Sequence, residues 1–202
     1  YGGVSNFVAV GTNSTVATVS LGANGLVWVS NSVPSSQKNL KAVTFGSGLF
    51  VASGSANNVF TSPDGINWKT NSKAYSTGAD VQGLAFNAGH FVAVANMIQV
   101  AWTDTNLTAW NAATLANPVA LESCRAVIPV DTNGFALCGI RGDVRISQNA
   151  GQSWNVNRAY DLLEPDLYGI AAGGNTLVCV GAGGRILVSA NRGTNWLITT
   201  SG

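Results

Sequence analysis

The stretch SANRGTNW, residues 189–196, places a serine, an asparagine, a glycine and a tryptophan at fixed offsets: Ser189, Asn191, Gly193 and Trp196. SQNAGQSW at 147–154 repeats the form with Ser147, Asn149, Gly151 and Trp154. SPDGINW at 62–68 is one residue shorter, with Ser62, Asp64, Gly65 and Trp68. TDTNLTAW (103–110) reads as a degraded copy and SLGANGLVW (20–28) as a stretched one.

The tryptophans closing these phrases are Trp28, Trp68, Trp110, Trp154 and Trp196, spaced by 40, 42, 44 and 42 residues. Four of the five end a G-x-x-W; before Trp110 the glycine is replaced by Leu107. A fixed period of this length decides the fold more strongly than any local propensity.

Each repeat reads as four short strands. The first is LKAVTF (40–45), VQGLAF (81–86), CRAVIP (124–129) and LYGIAA (167–172). The second is FVAV (7–10), FVAS (50–53), FVAV (91–94), FALC (135–138) and LVCV (177–180). The third carries the serine of the phrase, and the fourth begins near its tryptophan. Short β-branched and aromatic runs between Gly/Asn turns are strand signals, and no stretch holds a helical period. The expectation is an all-β propeller: one domain over residues 1–202, in five repeats at about 1–30, 31–70, 71–112, 113–156 and 157–202.

The phrase then falls on the hairpin between third and fourth strands. Its Asp or Asn can accept hydrogen bonds from backbone N–H groups of the turn. Its glycine can take a positive φ, and its tryptophan can pack over the turn. This pattern resembles the Asp-box, or bacterial neuraminidase repeat, of sialidases, some xyloglucan-cleaving glycosidases, sortilin-type receptors and the photosystem II assembly-factor family. In those families the box is structural. The resemblance therefore implies that the twelve motif residues named in the three better copies carry fold rather than ligand.

Composition limits the function. Only 9% of the residues are charged, against about 25% in an ordinary soluble domain, and the net charge is +1. That excludes an electrostatic footprint for nucleic acid. No apolar run approaches the about 18 residues that a membrane-spanning helix requires. Wetting by Asn, Ser, Thr and Gly suggests an extracellular, cell-surface or virion setting. Sequons at Asn13 and Asn106 matter only in a secreting eukaryote. The chain opens on Tyr1 without a signal-peptide pattern, so a processed or trimmed chain is expected. Cys124, Cys138 and Cys179 lie in apolar runs without a C-x-x-C pair, which reads as buried thiols, the alternative being one disulfide with one thiol left over.

Tyr1 aligns with Phe45 and Phe86, at the end of a first strand. Four first strands therefore stand against five of every other kind. The innermost strand of the first repeat is expected either from a longer chain or from a partner, by strand addition.

Function is expected at the channel mouth. The second residue of each first strand is Lys41, Gln82, Arg125 or Tyr168, polar and different in every repeat. The third is small: Ala42, Gly83, Ala126 or Gly169. The four polar residues are the candidate ligand-binding ring. On the same face, residues 155–166 hold Asp161, Glu164 and Asp166. Paired carboxylates are what a glycosidase uses, but these come from a single connection. Arg125, Arg141, Arg145, Arg158 and Arg185 crowd into the last two repeats, unlike a sialidase arginine triad. With His90 the only histidine, neither a histidine-based triad nor a zinc cluster can be built. No catalytic residue, metal or cofactor is assigned. The expected function is a non-catalytic module for a protein or glycan ligand. The alternatives are a structural subunit of a virion or surface filament, homo-oligomeric by strand sharing, and a sialidase-like hydrolase.

Overall fold

Twenty short strands, most closed by two- to five-residue turns, form five separate antiparallel ladders among the described residues. They come from a computed structural model that describes residues 7–22, 25–35, 38–71, 73–75, 78–97, 99–117, 123–158 and 163–201. The first sheet holds β1 (Phe7–Val10), β2 (Thr15–Gly22) and β3 (Gly25–Ser32). The second holds β4 (Leu40–Gly46), β5 (Leu49–Gly54), β6 (Val59–Ser62) and β7 (Lys69–Thr70). The third holds β8 (Val81–Asn87), β9 (His90–Ala95), β10 (Val100–Asp104) and β11 (Asn111–Ala112). A short β12 (Thr114–Leu115) then runs parallel to the outer strand of the fourth sheet. That sheet continues with β13 (Cys124–Val130), β14 (Gly134–Gly139), β15 (Val144–Ser147) and β16 (Ser153–Arg158). The fifth holds β17 (Leu167–Gly173), β18 (Thr176–Gly181), β19 (Arg185–Ser189) and β20 (Leu197–Thr200).

Chain order and spatial order coincide within every sheet apart from the added β12. The inner strands β4, β8, β13 and β17 pack side by side in that order, and β1 packs on β4. This is the arrangement of a β-propeller, in which sheets stack face to face around their first strands. No described strand pairing joins the fifth sheet to the first.

The core lies between successive sheets, so the middle strands of the second, third and fourth sheets are buried on both faces, whereas Val180 on β18 of the fifth is 48% exposed. Val51 and Val59 face the third sheet, among Val81, Leu84 and Phe91. Their neighbours Phe50, Ala52 and Phe60 face the first, around Val16. Alternation along a strand sends consecutive residues to opposite faces. A strand sandwiched in this way therefore reads as an unbroken apolar run, which is why FVAS and FALC lack a polar beat. Between the third and fourth sheets Val92 and Val94 meet Phe135, Leu137 and Trp154. Between the fourth and fifth, Cys138 and Val144 meet Leu167, Cys179 and Leu187.

Two readings of the sequence need correction. The stretch at 20–28 forms no motif turn: β2 and β3 pair without interruption from Thr15↔Ser32 to Gly22↔Gly25. Trp28 sits opposite Val19 in that ladder and is 57% exposed. The second strand read as FVAV (91–94) starts one residue earlier, where His90 opens β9 and lies against Trp102.

Candidate functional site

The three better motif copies fold alike, at the end of the molecule away from the expected mouth. Ser62, Ser147 and Ser189 end their third strands. Each serine Oγ donates to the side-chain oxygen two residues on, at 2.8 Å to Asp64, 3.0 Å to Asn149 and 2.9 Å to Asn191. Each also accepts the motif glycine N–H, at 2.9, 3.0 and 2.8 Å. The Asp64, Asn149 and Asn191 side chains in turn accept backbone N–H groups of Asn67, Ser153 and Asn195. With Asn67 and Ile66 N–H groups converging on it, the Asp64 carboxyl is held well below its ordinary value of 3.8.

Gly65, Gly151 and Gly193 take φ of +76°, +84° and +82°. They also touch the preceding sheet. A Cβ would stand 2.7 Å from Val8 at Gly65, 2.3 Å from Val92 at Gly151 and 2.5 Å from Ile146 at Gly193. Trp68 and Trp154 donate Nε1–H to the glycine carbonyls at 2.9 Å. Trp196 packs on the same interface, with no acceptor for its buried Nε1 among the described residues. The motif thus closes its own turn and seats its sheet on the previous one. In the third repeat Leu107 holds φ +53° without being glycine, and is buried.

Lys41, Gln82, Arg125 and Tyr168 all occupy one kind of site at the opposite end. In every inner strand the pairing register slips across that residue: Leu40/Ala42, Val81/Gly83, Cys124/Ala126 and Leu167/Gly169. Each is the extra residue of a β-bulge, which leaves the ladder and turns its side chain away from it.

The residue before each inner strand braces this rim. Asp80 Oδ1 accepts the Ala56 N–H at 2.9 Å, and Oδ2 pairs with Lys41 Nζ at 2.9 Å. Both bonds hold its carboxyl below the usual aspartate value. Asp166 Oδ1 accepts the Arg141 N–H at 3.0 Å, and Oδ2 lies 3.7 Å from Arg125. Ser123 Oγ and Asn39 Oδ1 accept the N–H groups of Met97 and Asn13 at 3.4 Å. All four donors have positive φ, between +52° and +58°. Each such residue therefore caps a left-handed turn of the preceding sheet. Gln82 Nε2 reaches the Asp80 carbonyl at 3.3 Å. Tyr168 is 57% exposed.

Of the acidic trio, Asp161 lies outside the described residues. Glu164 is 3.5 Å from Arg185, and Asp166 is engaged as above. Arg145 is turned inward: at 1% exposure it bonds Asp143 Oδ2 at 2.8 Å and the carbonyl of Ala116. The Asp143 carboxyl is pushed up by burial, which outweighs Arg145 beside it. The sequence reading did not foresee this buried pair. A charge inside an apolar run, VRIS, was its only signal.

Cys138 and Cys179 meet in the buried cluster between the fourth and fifth sheets, with Val144, Leu167 and Leu187. That contact and burial push the Cys138 thiol far above its ordinary value. All three cysteines are buried, and none of them is in a disulfide. Among the described residues no group of three His, Cys, Asp or Glu side chains could hold a metal ion.

No family profile matches the chain, and no curated protein matches it. Solved structures do. YCF48 bound to a D1 peptide is 16% identical, with a TM-score of 0.70 over 98% of this chain and 64% of that one. The WD40 β-propeller domain of Doa1 is 15% identical, with a TM-score of 0.72 over 96% and 64%. YCF48 from Cyanidioschyzon merolae is 11% identical, with a TM-score of 0.65 over 82% and 57%. These similarities establish the propeller fold. The chain spans less than two thirds of the length of each.

Proposed function

We propose that this chain is a non-catalytic propeller that binds an extended segment of another protein at the rim formed by Lys41, Gln82, Arg125 and Tyr168. The observation that carries the reading is the bulge shared by all four. One device repeated in four sheets lifts four chemically different side chains out of the ladder at one end of the molecule. A scaffold that needed only packing would have no use for a bulge at each. One structural neighbour, YCF48, carries a bound D1 peptide, which supports peptide capture by a propeller of this shape. The rim offers both charge signs and an exposed phenol, suited to a polar peptide bearing an aromatic or apolar anchor.

A hydrolytic role has less support. Glu164 and Asp166 are both committed to arginines, and the inward-turned Arg145 cannot join a carboxylate-binding triad. The turn motif, read as an Asp-box in a five-bladed propeller, is structural in this proposal. The low charge content favours a setting outside the cell.

The test is selection of displayed peptides on the native chain, with the Lys41→Ala, Gln82→Ala, Arg125→Ala, Tyr168→Ala quadruple variant as counter-target. Exposed ion pairs contribute about 0–1 kcal/mol each, so the variant should stay folded. Selected peptides should bind it at least tenfold more weakly. Peptides that bind both proteins equally, or a glycan that binds while no peptide does, would overturn the proposal.

A further inference from the structure

The four inner strands open in two alternating ways. The second and fourth sheets enter theirs as NLKA (39–42) and SCRA (123–126): an uncharged polar residue, an apolar one, a cation and alanine. The third and fifth enter theirs as DVQG (80–83) and DLYG (166–169): aspartate, an apolar residue, an uncharged bulge residue and glycine. The fold repeats with every sheet, but the chemistry of the rim repeats with every second one.

The contacts give the alternation a physical sense. Each cation reaches forward to the aspartate of the next sheet. Lys41 Nζ is 2.9 Å from Asp80 Oδ2, and Arg125 Nη2 is 3.7 Å from Asp166 Oδ2. The other oxygen of each aspartate is held from behind by the Ala56 or Arg141 N–H group, at 2.9 and 3.0 Å. Each carboxylate therefore bridges two sheets and cannot turn toward a ligand without releasing its capped turn. The junction of the third and fourth sheets is built differently. There Gln82 Nε2 donates to the Asp80 carbonyl of its own sheet at 3.3 Å, and Ser123 is the cap. Both ion pairs stay reachable, with side chains between 31% and 36% exposed.

Resting on the rim as the binding site, we infer that it is made of two equivalent, charge-balanced subsites, Lys41–Asp80 with Gln82 and Arg125–Asp166 with Tyr168. The partner segment they accept is uncharged where it meets them and presents carboxamide, hydroxyl or main-chain amide groups. A ligand carboxylate approaching Lys41 also meets Asp80, and a ligand cation approaching Asp80 also meets Lys41. Either gains attraction from one member of the pair and repulsion from the other. A group that both donates and accepts meets no such conflict. The ammonium and guanidinium have N–H donors to spare, the carboxylates have free lone pairs, and the Gln82 amide and Tyr168 hydroxyl can do both.

Two defined probes test the balance without knowledge of the natural partner: fluorescein-labelled EGSEGSE and KGSKGSK peptides, read by anisotropy. The Asp80→Asn, Asp166→Asn variant should keep its caps, because Asn39 accepts an N–H group from the same position. With Lys41 and Arg125 left unbalanced, it should bind the glutamate probe roughly tenfold more tightly than the parent does at about 50 mM NaCl, and lose that gain at about 500 mM. Lys41→Gln with Arg125→Gln should do the same for the lysine probe and leaves every cap untouched. Peptides selected on the rim should hold their affinity within about twofold across that salt range. A parent that binds either charged probe as tightly as the unbalanced variants do would overturn the inference. Rim-selected peptides that weaken roughly tenfold with salt would overturn it too. Selected peptides indifferent to the rim quadruple variant would instead overturn the binding reading itself, whatever their response to salt.

Discussion

Gly151 lies so close to Val92 of the preceding sheet that a Cβ on it would be 2.3 Å from Val92 Cγ2. Glycine is required there twice, for φ +84° and for the approach. Gly48 shares the positive φ, +79°, but faces open space. Gly48→Ala should therefore cost only the left-handed strain, about 1–2 kcal/mol. Gly151→Ala should add overpacking of about 1–3 kcal/mol. Denaturant melts of both variants check this, and equal losses would show that the approach does not matter.

Trp154 is 1% exposed between the third and fourth sheets, and Trp28 is 57% exposed on β3. Trp154→Ala should destabilise by about 3–5 kcal/mol, and Trp28→Ala by roughly 1 kcal/mol or less. A large loss at Trp28 would contradict its placement in a plain hairpin.

Asp64 titrates below its ordinary value of 3.8 because turn N–H groups bind the carboxylate. A depressed folded-state pKa gives stability that is present above 3.8 and lost as pH falls below it. The other two copies use Asn149 and Asn191 at this place, so Asp64→Asn should keep the turn. The variant should melt slightly lower than the parent at pH 7, and the gap should start to narrow as pH falls below 3.8 and close only as it passes the depressed value of the folded carboxyl. A gap that persists in acid would mean that the carboxylate charge is irrelevant to the turn.

The period of the tryptophans and the apolar second strands made the strand order legible, because every repeat buries the same faces. The bulges were not legible. Simple alternation predicts where Lys41 or Arg125 points, but nothing in LKAVTF or CRAVIP marks a slipped register. The capping role of Asn39, Asp80, Ser123 and Asp166 was also hidden, since it joins residues 24 to 26 positions apart with unlike side chains. The first repeat misled because SLGANGLVW keeps the glycine and tryptophan but sets Ser20 and Asn24 four residues apart, where the turns that close have the pair two apart. Arg145 and Asp143 escaped because burial of a charge depends on a partner that the sequence does not mark.

Cys138 and Cys179, expected as buried thiols, meet between the fourth and fifth sheets. Both should resist an aromatic disulfide reagent in the folded protein, as should Cys124, and all three should react on unfolding. Rapid labelling of the native chain, or a Cys138–Cys179 linked peptide on non-reducing mass spectrometry, would contradict this.

Photo-crosslinking of a rim-selected peptide tests the central functional claim most directly. With a benzophenone in the peptide, label should fall at the mouth, on residues 38–41, 78–82, 123–125 and 163–168. Label concentrated instead on the motif turns, residues 62–68, 147–154 and 189–196, would place the ligand at the opposite end and contradict the account.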